Sequence, residues 1–363
     1  MPSFTSSSDM QASTEKHGRP LPSKSLGVAA VLGAIVTVVL MSGWEMYWRS
    51  DGSIPSYRNS EGLWAIQRRR IDNGEGDKTV IAGSSRAYFN MQLDVWERES
   101  GERPIQLALE GTSPVKLMED LAEDEDFSGT LLVGVAPGPF FGGGGYRAKA
   151  FKRYEQESPS QWLGQQLSML VEPYLAFYHH DYSLFTVINR QDVKNREGVE
   201  FEPDVRRLAT YGKDRAARMY RKVEEDAEYA RIAQEIWAAG FTPIEEKEEE
   251  ELDKLLERRA EIIDRAIEAT KVLQERGIEV IFFQSPAEGH YAISEPMYHP
   301  RGETWDVLIE ETGAMGLHWQ DHEEMQGYWL PEWSHMSGSE SDRFTRAMHQ
   351  LIQRERAIRD SGE

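Results

Sequence analysis

The chain has 363 residues and no cysteine, and its 62 acidic and 41 basic residues give a formal charge of −21. Phosphate groups need basic partners, so an acidic chain of this kind is not expected to bind nucleic acid, and simple adhesion to an anionic bilayer is disfavoured. The lack of cysteine excludes disulfides, cysteine-based metal sites and a cysteine nucleophile. The length is sufficient for a large α/β domain with an insertion, or for two domains.

The amino-terminal region divides into a polar tail and a long apolar segment. Residues 1–24 are rich in Ser, Thr, Pro and Lys without periodicity, which predicts a disordered cytoplasmic tail. Residues 25–48 predict a transmembrane helix, because the charge-free part of this run approaches the ~20 residues that cross a hydrocarbon core. Trp44, Tyr47 and Trp48 at its end are typical of a membrane interface. A cleaved signal peptide is the alternative, although bulky Trp44 stands where small residues are expected.

The charges around the predicted span set its expected orientation. Three basic residues closely precede it, whereas the nearest ones after it are Arg49 and Arg58. This asymmetry predicts a cytoplasmic amino terminus and a periplasmic or otherwise extracytoplasmic main domain, although the later run 68–70 weakens it. Small residues at four-residue spacing within the span (Ala29, Gly33 and Thr37) favour a partner helix, with ordinary membrane-helix composition as the alternative.

Strand and helix patterns alternate along most of the remaining chain. A connector with one short helix is expected over residues 49–77, followed by strand–helix units over 78–141. Over 142–244 the alternation gives way to a helical insertion, with helices expected at about 205–220 and 223–239. Strands and helices resume over 245–363. Such alternation predicts an α/β fold: a three-layer sandwich with a parallel, flavodoxin-like sheet, a helical insertion and one amino-terminal transmembrane helix.

The first candidate functional segment is Lys78 to Ala87, which reads Lys-Thr-Val-Ile-Ala-Gly-Ser-Ser-Arg-Ala. Its apolar run predicts a buried strand, and Gly83 permits a sharp turn into the following helix. Ser85 would then stand at the carboxyl end of a sheet and at the positive end of a helix. An acyl-transfer enzyme needs a nucleophile in such a place, because developing negative charge meets free N–H groups there. A plain helix cap is the alternative function of this serine.

The second candidate segment lies between the last predicted strand and the last predicted helix. There the chain reads Leu-Pro-Glu-Trp-Ser-His-Met-Ser-Gly over residues 330–338. Glu332 precedes His335 by three residues, so one turn can bring the carboxylate to the imidazole. A serine nucleophile needs a base, and the base needs an orienting carboxylate. Ser85, His335 and Glu332 offer these three groups, and an ordinary loop ion pair is the alternative for the last two.

With these segments the sequence resembles the SGNH, or GDSL-type, superfamily of hydrolases and acyltransferases. In that family the nucleophile follows the first strand in a Gly-Asp-Ser motif, and an Asp-x-x-His motif precedes the last helix. Gly83-Ser84-Ser85 matches the first motif with Ser for Asp, and Glu332 to His335 matches the second with Glu for Asp. The resemblance implies that the N–H groups of Ser85 and Gly111 form the oxyanion hole, since Gly111 follows the second strand.

The resemblance covers about residues 78–141 and 278–357 and departs from the family at its third block. The family has an Asn in Gly-x-Asn-Asp, whereas this chain reads Gly-Val-Ala-Pro-Gly over residues 134–138. The chain is most similar to the membrane-anchored branch, which includes alginate O-acetylation and D-alanyl-lipoteichoic-acid transfer proteins. Its members help to acylate cell-envelope polymers beside a membrane-bound acyltransferase, which implies a membrane acyltransferase or other integral membrane subunits as partners.

Three further features have two interpretations each. Arg86 is a candidate for binding an anionic substrate or, alternatively, a partner of a nearby carboxylate. His179-His180-Asp181 contains metal-ligand types, but adjacent side chains diverge, so no metal is expected. The glycines at 142–145 lack the Lys-Ser/Thr of a phosphate loop and predict a hinge at the pocket edge. No cofactor is expected.

Two functions therefore stay open. One is a membrane-anchored serine acyltransferase or esterase that acts on a cell-envelope glycan or similar ester. The other is a catalytically silent SGNH-like scaffold subunit of a larger membrane complex, which the missing Asn and the large insertion favour.

Overall fold

The computed structural model describes residues 25–190, 206–241, 243 and 247–361, so the tail predicted over residues 1–24 lies outside the described residues. The chain separates into one unit over residues 1–47 and a second over 48–363. The described part of the first unit belongs to helix α1, Leu26–Ser50, which buries none of its residues. Within the described residues it is the one helix long and apolar enough to cross a membrane, a property that signal sequences share.

The described part of the second unit contains a parallel sheet, a separate antiparallel pair of strands, and helices. The strands are β1 (Val80–Gly83), β2 (Ile105–Gln106), β3 (Leu131–Gly134), β4 (Ala209–Tyr211), β5 (Ala217–Met219), β6 (Val280–Gln284) and β7 (Met315–His318). The helices are α2 (Glu61–Arg70), α3 (Ser85–Asn90), α4 (Leu93–Ser100), α5 (Val115–Glu123), α6 (Pro137–Phe141), α7 (Lys149–Glu155), α8 (Pro159–Val171), α9 (Leu184–Asn189), α10 (Arg221–Glu225), α11 (Ala227–Ala239), α12 (Glu249–Glu275), α13 (Gly289–Tyr298), α14 (Trp305–Thr312) and α15 (Gly338–Ser361).

The main sheet has five parallel strands in the order β2-β1-β3-β6-β7, which is the flavodoxin-like order. The chain moves from β1 to β2 on one side and then crosses back to β3 on the other. The carboxyl ends of β1 and β3 therefore diverge at a topological switch point, where α/β proteins open a crevice for ligands. The predicted α/β fold with a parallel sheet is confirmed.

Alternate strand residues face two separate cores, one on each side of the sheet. Val80, Ala82 and Phe282 pack in one core with residues of α5 and α12. Ile81 and Phe283 pack in the other with residues of α3, α4 and α15. Strands that are buried on both faces need helices on both sides, so the molecule has the three layers that the alternation predicts.

Two glycines bring α3 unusually close to the sheet. Gly83 and Gly134 are neighbours in the β1–β3 register. A Cβ on Gly83 would lie 2.6 Å from the Cβ of Ala87, and one on Gly134 would lie 2.5 Å from it. Gly83 also has a φ of +139°, which side-chain-bearing residues rarely adopt. The turn after β1 therefore depends on glycine for both its conformation and its space.

The insertion contains a β-hairpin where the sequence predicts a helix over residues 205–220. β4 and β5 pair antiparallel, with Arg215 at a φ of +64° in the connecting turn. The buried Arg215 guanidinium donates to the carbonyls of Gln106 and Ala108, which follow the edge strand β2. The helix prediction was wrong because these tertiary hydrogen bonds, together with β-favouring Thr210 and Tyr211, override the local helical pattern.

The predicted connector over residues 49–77 includes a core element. Its helix α2 is capped by Ser60, whose hydroxyl accepts from the N–H of Leu63. Trp64 is fully buried, and its indole donates to the carbonyl of Leu107 at 2.9 Å. This helix therefore packs on the sheet domain itself.

Candidate functional site

Ser85 is the first residue of α3, directly after the turn that ends β1. Ser84 is the N-cap residue and is buried, and its hydroxyl has no hydrogen-bond partner among the described residues. Ser85 is only half-buried. The chain therefore places Ser85, and not Ser84, at the switch point with its side chain accessible.

Glu332 and His335 form a buried pair in the loop before α15. Glu332 Oε1 lies 2.8 Å from His335 Nδ1 and accepts the backbone N–H of His335 at 2.6 Å. Because a carboxylate only accepts, Nδ1 must carry the proton in this pair, and Nε2 of the neutral ring is then the acceptor. Nε2 has no hydrogen-bond partner within the described residues. The carboxylate thus holds the imidazole by Nδ1 and leaves Nε2 as the acceptor of the ring.

A residue of the insertion completes the carboxylate's hydrogen bonds. Trp237 in α11 donates its indole N–H to Glu332 Oε2 at 2.6 Å. Gln234, one turn earlier, donates to the carbonyl of Pro331 at 2.9 Å. The sequence analysis assigned no function to either residue. Since Glu332 is fully buried, the indole of Trp237 replaces the water that the second carboxylate oxygen would otherwise need.

Strained backbone supports the same loop. Trp333, between the two residues of the pair, has a φ of +72°. Its carbonyl accepts the N–H of Glu288, and its ring fills the space that a side chain on Gly289 would occupy, with Cδ2 at 2.3 Å from the position of such a Cβ. A non-glycine residue in the left-handed region costs about 1–3 kcal/mol and is common near functional sites.

Helix α3 carries both Ser85 and the contacts that locate His335. Phe89, one helical turn after Ser85 and therefore on the same helix face, stacks on the imidazole with ring centroids 4.2 Å apart. Asn90 is fully buried, accepts the N–H of Met336 at 3.0 Å and donates to Ser285 at 3.1 Å. These contacts fix the histidine loop against the helix that begins with the serine.

A cavity of about 590 Å³ joins the predicted residues, since Ser85, Gly111 and His335 all line it. No hydrogen bond joins Ser85 and His335 in the described structure. Hydrogen bonds between nucleophile and base are often long without substrate. The other residues that line the cavity include Phe89, Glu110, Pro139, Tyr146, Arg147, His179, Asp181, Tyr211, Trp237 and Tyr291.

The predicted oxyanion donors border this cavity. Gly111 has a φ of +56°, and within the described residues neither its N–H nor that of Ser85 donates to a protein acceptor. The carbonyl of Gly111 accepts from Tyr146, and Ser113 donates to the carbonyl of Gly144 at 2.7 Å. The glycine run for which the sequence predicts a hinge is thus tied to the Gly111 turn. The loop over residues 134–138 contributes no side-chain amide.

Arg86 is not one of the residues that line the cavity, and it pairs with Glu295 of α13. Two hydrogen bonds of 2.5 and 3.0 Å join the guanidinium to the carboxylate, and Arg86 also lies over the ring of Tyr291 at 5.0 Å. Burial lowers the pKa of Arg86, but the facing Glu295 carboxylate outweighs it, so the pKa is raised overall. The carboxylate-pair interpretation fits these contacts, and the substrate-binding interpretation has no support from them.

Charged groups of both signs line the far wall of the cavity. Glu110 Oε2 and Arg147 Nε lie 3.9 Å apart, and neither atom has a hydrogen-bond partner among the described residues. Burial, reinforced by Arg207, lowers the pKa of His179 to about 3, and burial raises the pKa of Tyr291 to about 12. Both rings are therefore neutral near pH 7 and provide polar but uncharged surface.

The described residues contain no group of three or more His, Asp and Glu side chains that could hold a metal ion. His179 Nδ1 instead accepts the N–H of Asp181, and Asp181 pairs with Arg190 at 3.0 Å. Comparison of the sequence with protein-family models and with curated proteins gives no match.

Proposed function

We propose that the chain is an SGNH-like serine acyltransferase or esterase that acts on a cell-envelope glycan or a similar ester. The observation that carries the proposal is the oriented His335, whose Nδ1 is held by Glu332 at 2.8 Å while Nε2 is unpartnered beside the cavity that Ser85 lines. A histidine with this pairing is the base that a serine nucleophile requires.

In the proposed reaction Ser85 Oγ attacks the ester carbonyl while His335 Nε2 takes the hydroxyl proton. The developing oxyanion is stabilised by the N–H groups of Ser85 and Gly111. The tetrahedral intermediate then collapses: the alcohol leaves with the proton from His335, and the acyl group stays on Ser85. A glycan hydroxyl or water, deprotonated by His335, then attacks the acyl-serine, and the serine recovers its proton. Glu332 keeps the imidazole in one tautomer throughout.

The same proposal includes a membrane anchor with a cytoplasmic amino terminus and a periplasmic or otherwise extracytoplasmic catalytic unit. Support comes from α1, which is free of buried residues, with a mean hydropathy of 2.3 over its best 18-residue window. The proposed partners are a membrane acyltransferase or other integral membrane subunits, since a membrane-delivered acyl donor suits an anchored transferase.

A fluorophosphonate probe tests the chemistry, because it reacts with serines that an adjacent base activates. The purified full-length chain should be labelled, and labelling should vanish in Ser85→Ala and His335→Ala. Ser84→Ala is the matched control, since the adjacent Ser84 hydroxyl is buried, and this variant should keep its labelling. Labelling that survives in Ser85→Ala would contradict the proposed nucleophile.

The second candidate function is a catalytically silent scaffold subunit in a membrane complex. One observation favours it: among the described residues no hydrogen bond joins Ser85 to His335. The same probe separates the two functions. An unlabelled wild-type chain that copurifies stably with membrane proteins supports the scaffold.

A further inference from the structure

Helices α8 and α9 and the segment between them expose a large apolar surface, called here the α8–α9 surface. Its members are each at least half exposed: Trp162, Leu163, Leu167, Leu170, Tyr174, Leu184, Phe185 and Ile188. Single exposed apolar residues are ordinary, but eight of them between residues 162 and 188 indicate an interaction site.

Helix α8 exposes apolar residues that an ordinary surface helix would bury. Its buried residues are Gln165 and Met169, and Gln165 accepts a hydrogen bond from Ser60 at 2.8 Å. Gly62 of α2 permits this approach, since a Cβ there would lie 2.5 Å from the Gln165 side chain. The exposed face carries Leu163 and Leu167, one helical turn apart. A helix that faced only water would present its polar side outward.

The surface is also almost free of charge. Acidic and basic residues make up 28% of the chain, but residues 158–189 contain only two, Glu172 and Asp181. Both are at least nine-tenths buried. Glu172 accepts the N–H of Arg58 at 3.0 Å, and Asp181 pairs with Arg190. Neither charge therefore belongs to the exposed surface.

Contacts within the second unit place this surface beside the end of α1. Trp48 stacks on Tyr182 with ring centroids 4.4 Å apart. Arg49 donates to the carbonyl of Tyr174 at 2.9 Å. Trp48 directly follows the apolar part of α1 in the chain, so Tyr174 and Tyr182 contact the residues through which the chain enters the second unit.

We propose that the α8–α9 surface rests in the interfacial region of the bilayer that α1 enters. This inference depends on the anchor of the proposed function but not on its chemistry. Apolar side chains flanked by Trp162 and Tyr174 suit the boundary between headgroups and acyl chains. A chain of charge −21 is repelled by an anionic headgroup layer, and a surface free of charge weakens that repulsion where it meets the layer. Because His179 and Asp181 line the cavity, bilayer contact would hold the cavity beside the lipid surface.

The natural lack of cysteine allows single spin labels to test this contact. The full-length chain is reconstituted in phosphatidylcholine–phosphatidylglycerol nanodiscs with one label at Leu167→Cys or at Phe185→Cys. A label at Leu40→Cys in α1 is the reference for the interior of the bilayer. A label at Lys254→Cys on α12, where the lysine side chain is 69% exposed, is the reference for water. Accessibility to oxygen is compared with accessibility to a nickel chelate, because oxygen concentrates in the bilayer and the chelate stays in water.

If the surface contacts the bilayer, labels at 167 and 185 should be more accessible to oxygen than to the nickel chelate, as the label at 40 should be. The label at 254 should be more accessible to the nickel chelate. If labels at 167 and 185 are more accessible to the nickel chelate while the label at 40 is more accessible to oxygen, the surface does not contact the bilayer but the anchor stands. If the label at 40 is also more accessible to the nickel chelate, both the anchor and the inference that depends on it are wrong. If labels at 167 and 185 are inaccessible to both reagents, the surface is covered by a second copy of the chain and does not contact the bilayer.

Discussion

The indole N–H of Trp237 donates to Glu332 Oε2 at 2.6 Å, so a residue of the insertion supports the carboxylate that pairs with His335. These residues are 95 positions apart in the chain. Glu332 has no exposed surface, and its other oxygen serves both the ring and the backbone of His335. The insertion is therefore part of the candidate site.

Replacing Trp237 with Phe keeps the ring but removes this donor. The free energy of unfolding should fall by about 1–3 kcal/mol, because a buried carboxylate oxygen loses its partner. Fluorophosphonate labelling should also slow as Glu332 holds His335 less firmly. Urea unfolding and labelling rates of the detergent-solubilised chain measure both effects. Trp329→Phe, at an indole 51% exposed, is the control, and a Trp237→Phe variant equal to it in both measurements would contradict the assignment.

Replacing Glu332 with Gln should slow labelling at Ser85 strongly, although the two side chains are similar in size. Three N–H donors converge on the carboxylate: the indole of Trp237 and the ring and backbone of His335. Either orientation of the amide directs its NH₂ at one of these donors, and the negative charge is lost. We expect labelling at Ser85 to fall by at least about 100-fold.

Labelling kinetics of Glu332→Gln beside those of Glu257→Gln, at an exposed position of α12, measure this effect. Equal rates in the two variants would show that Glu332 has no function in orienting the base, and the pair with His335 would then be an ordinary loop ion pair.

The parts of the site that could be predicted are those that the sheet brings together. Ser85, Gly111 and the His335 loop each follow a strand, and parallel strands deliver such residues to one edge. Local signals were sufficient for each: a glycine turn, a short polar loop, and a Glu three residues before a His.

The residues that could not be predicted act through contacts between distant segments. Nothing near Trp237 in the sequence indicates a carboxylate partner, and Asn90 looks like any helix-end polar residue until Met336 is placed beside it. The same limit explains the hairpin, since Arg215 holds it through carbonyls more than 100 positions away.

Gly83→Ala should destabilise the sheet domain far more than an ordinary glycine substitution. The new Cβ would meet the Cβ of Ala87 at 2.6 Å and the carbonyl oxygen of Gly134 at 2.9 Å, at a φ of +139°. Gly101→Ala is the matched control, because its φ is +80° but nothing lies within 4 Å of the new atom. We expect about 1 kcal/mol of lost unfolding free energy for the control and at least about 3 kcal/mol for Gly83→Ala. Equal losses would mean that α3 can move away from the sheet at little cost.

Acid sensitivity should arise in part from His318 at the end of β7. This residue is buried against Trp305, with ring centroids 5.1 Å apart, and its Nδ1 accepts the N–H of Gln320. Burial, reinforced by Arg301, lowers its pKa from 6.5 to about 4. The folded state therefore resists protonation that the unfolded state accepts. The resulting stability is complete above pH 6.5 and is lost as the pH falls from 6.5 towards 4.

The variant His318→Asn isolates this contribution, because its amide oxygen can still accept from Gln320 but does not titrate. Between pH 7 and pH 5 the wild-type chain should lose about 2 kcal/mol more unfolding free energy than the variant. Urea unfolding of the detergent-solubilised chain at both pH values measures the difference. His290→Asn, at an exposed histidine, should keep the wild-type pH dependence. If His318→Asn keeps it too, the imidazole reaches water in the folded state and its burial does not control acid stability.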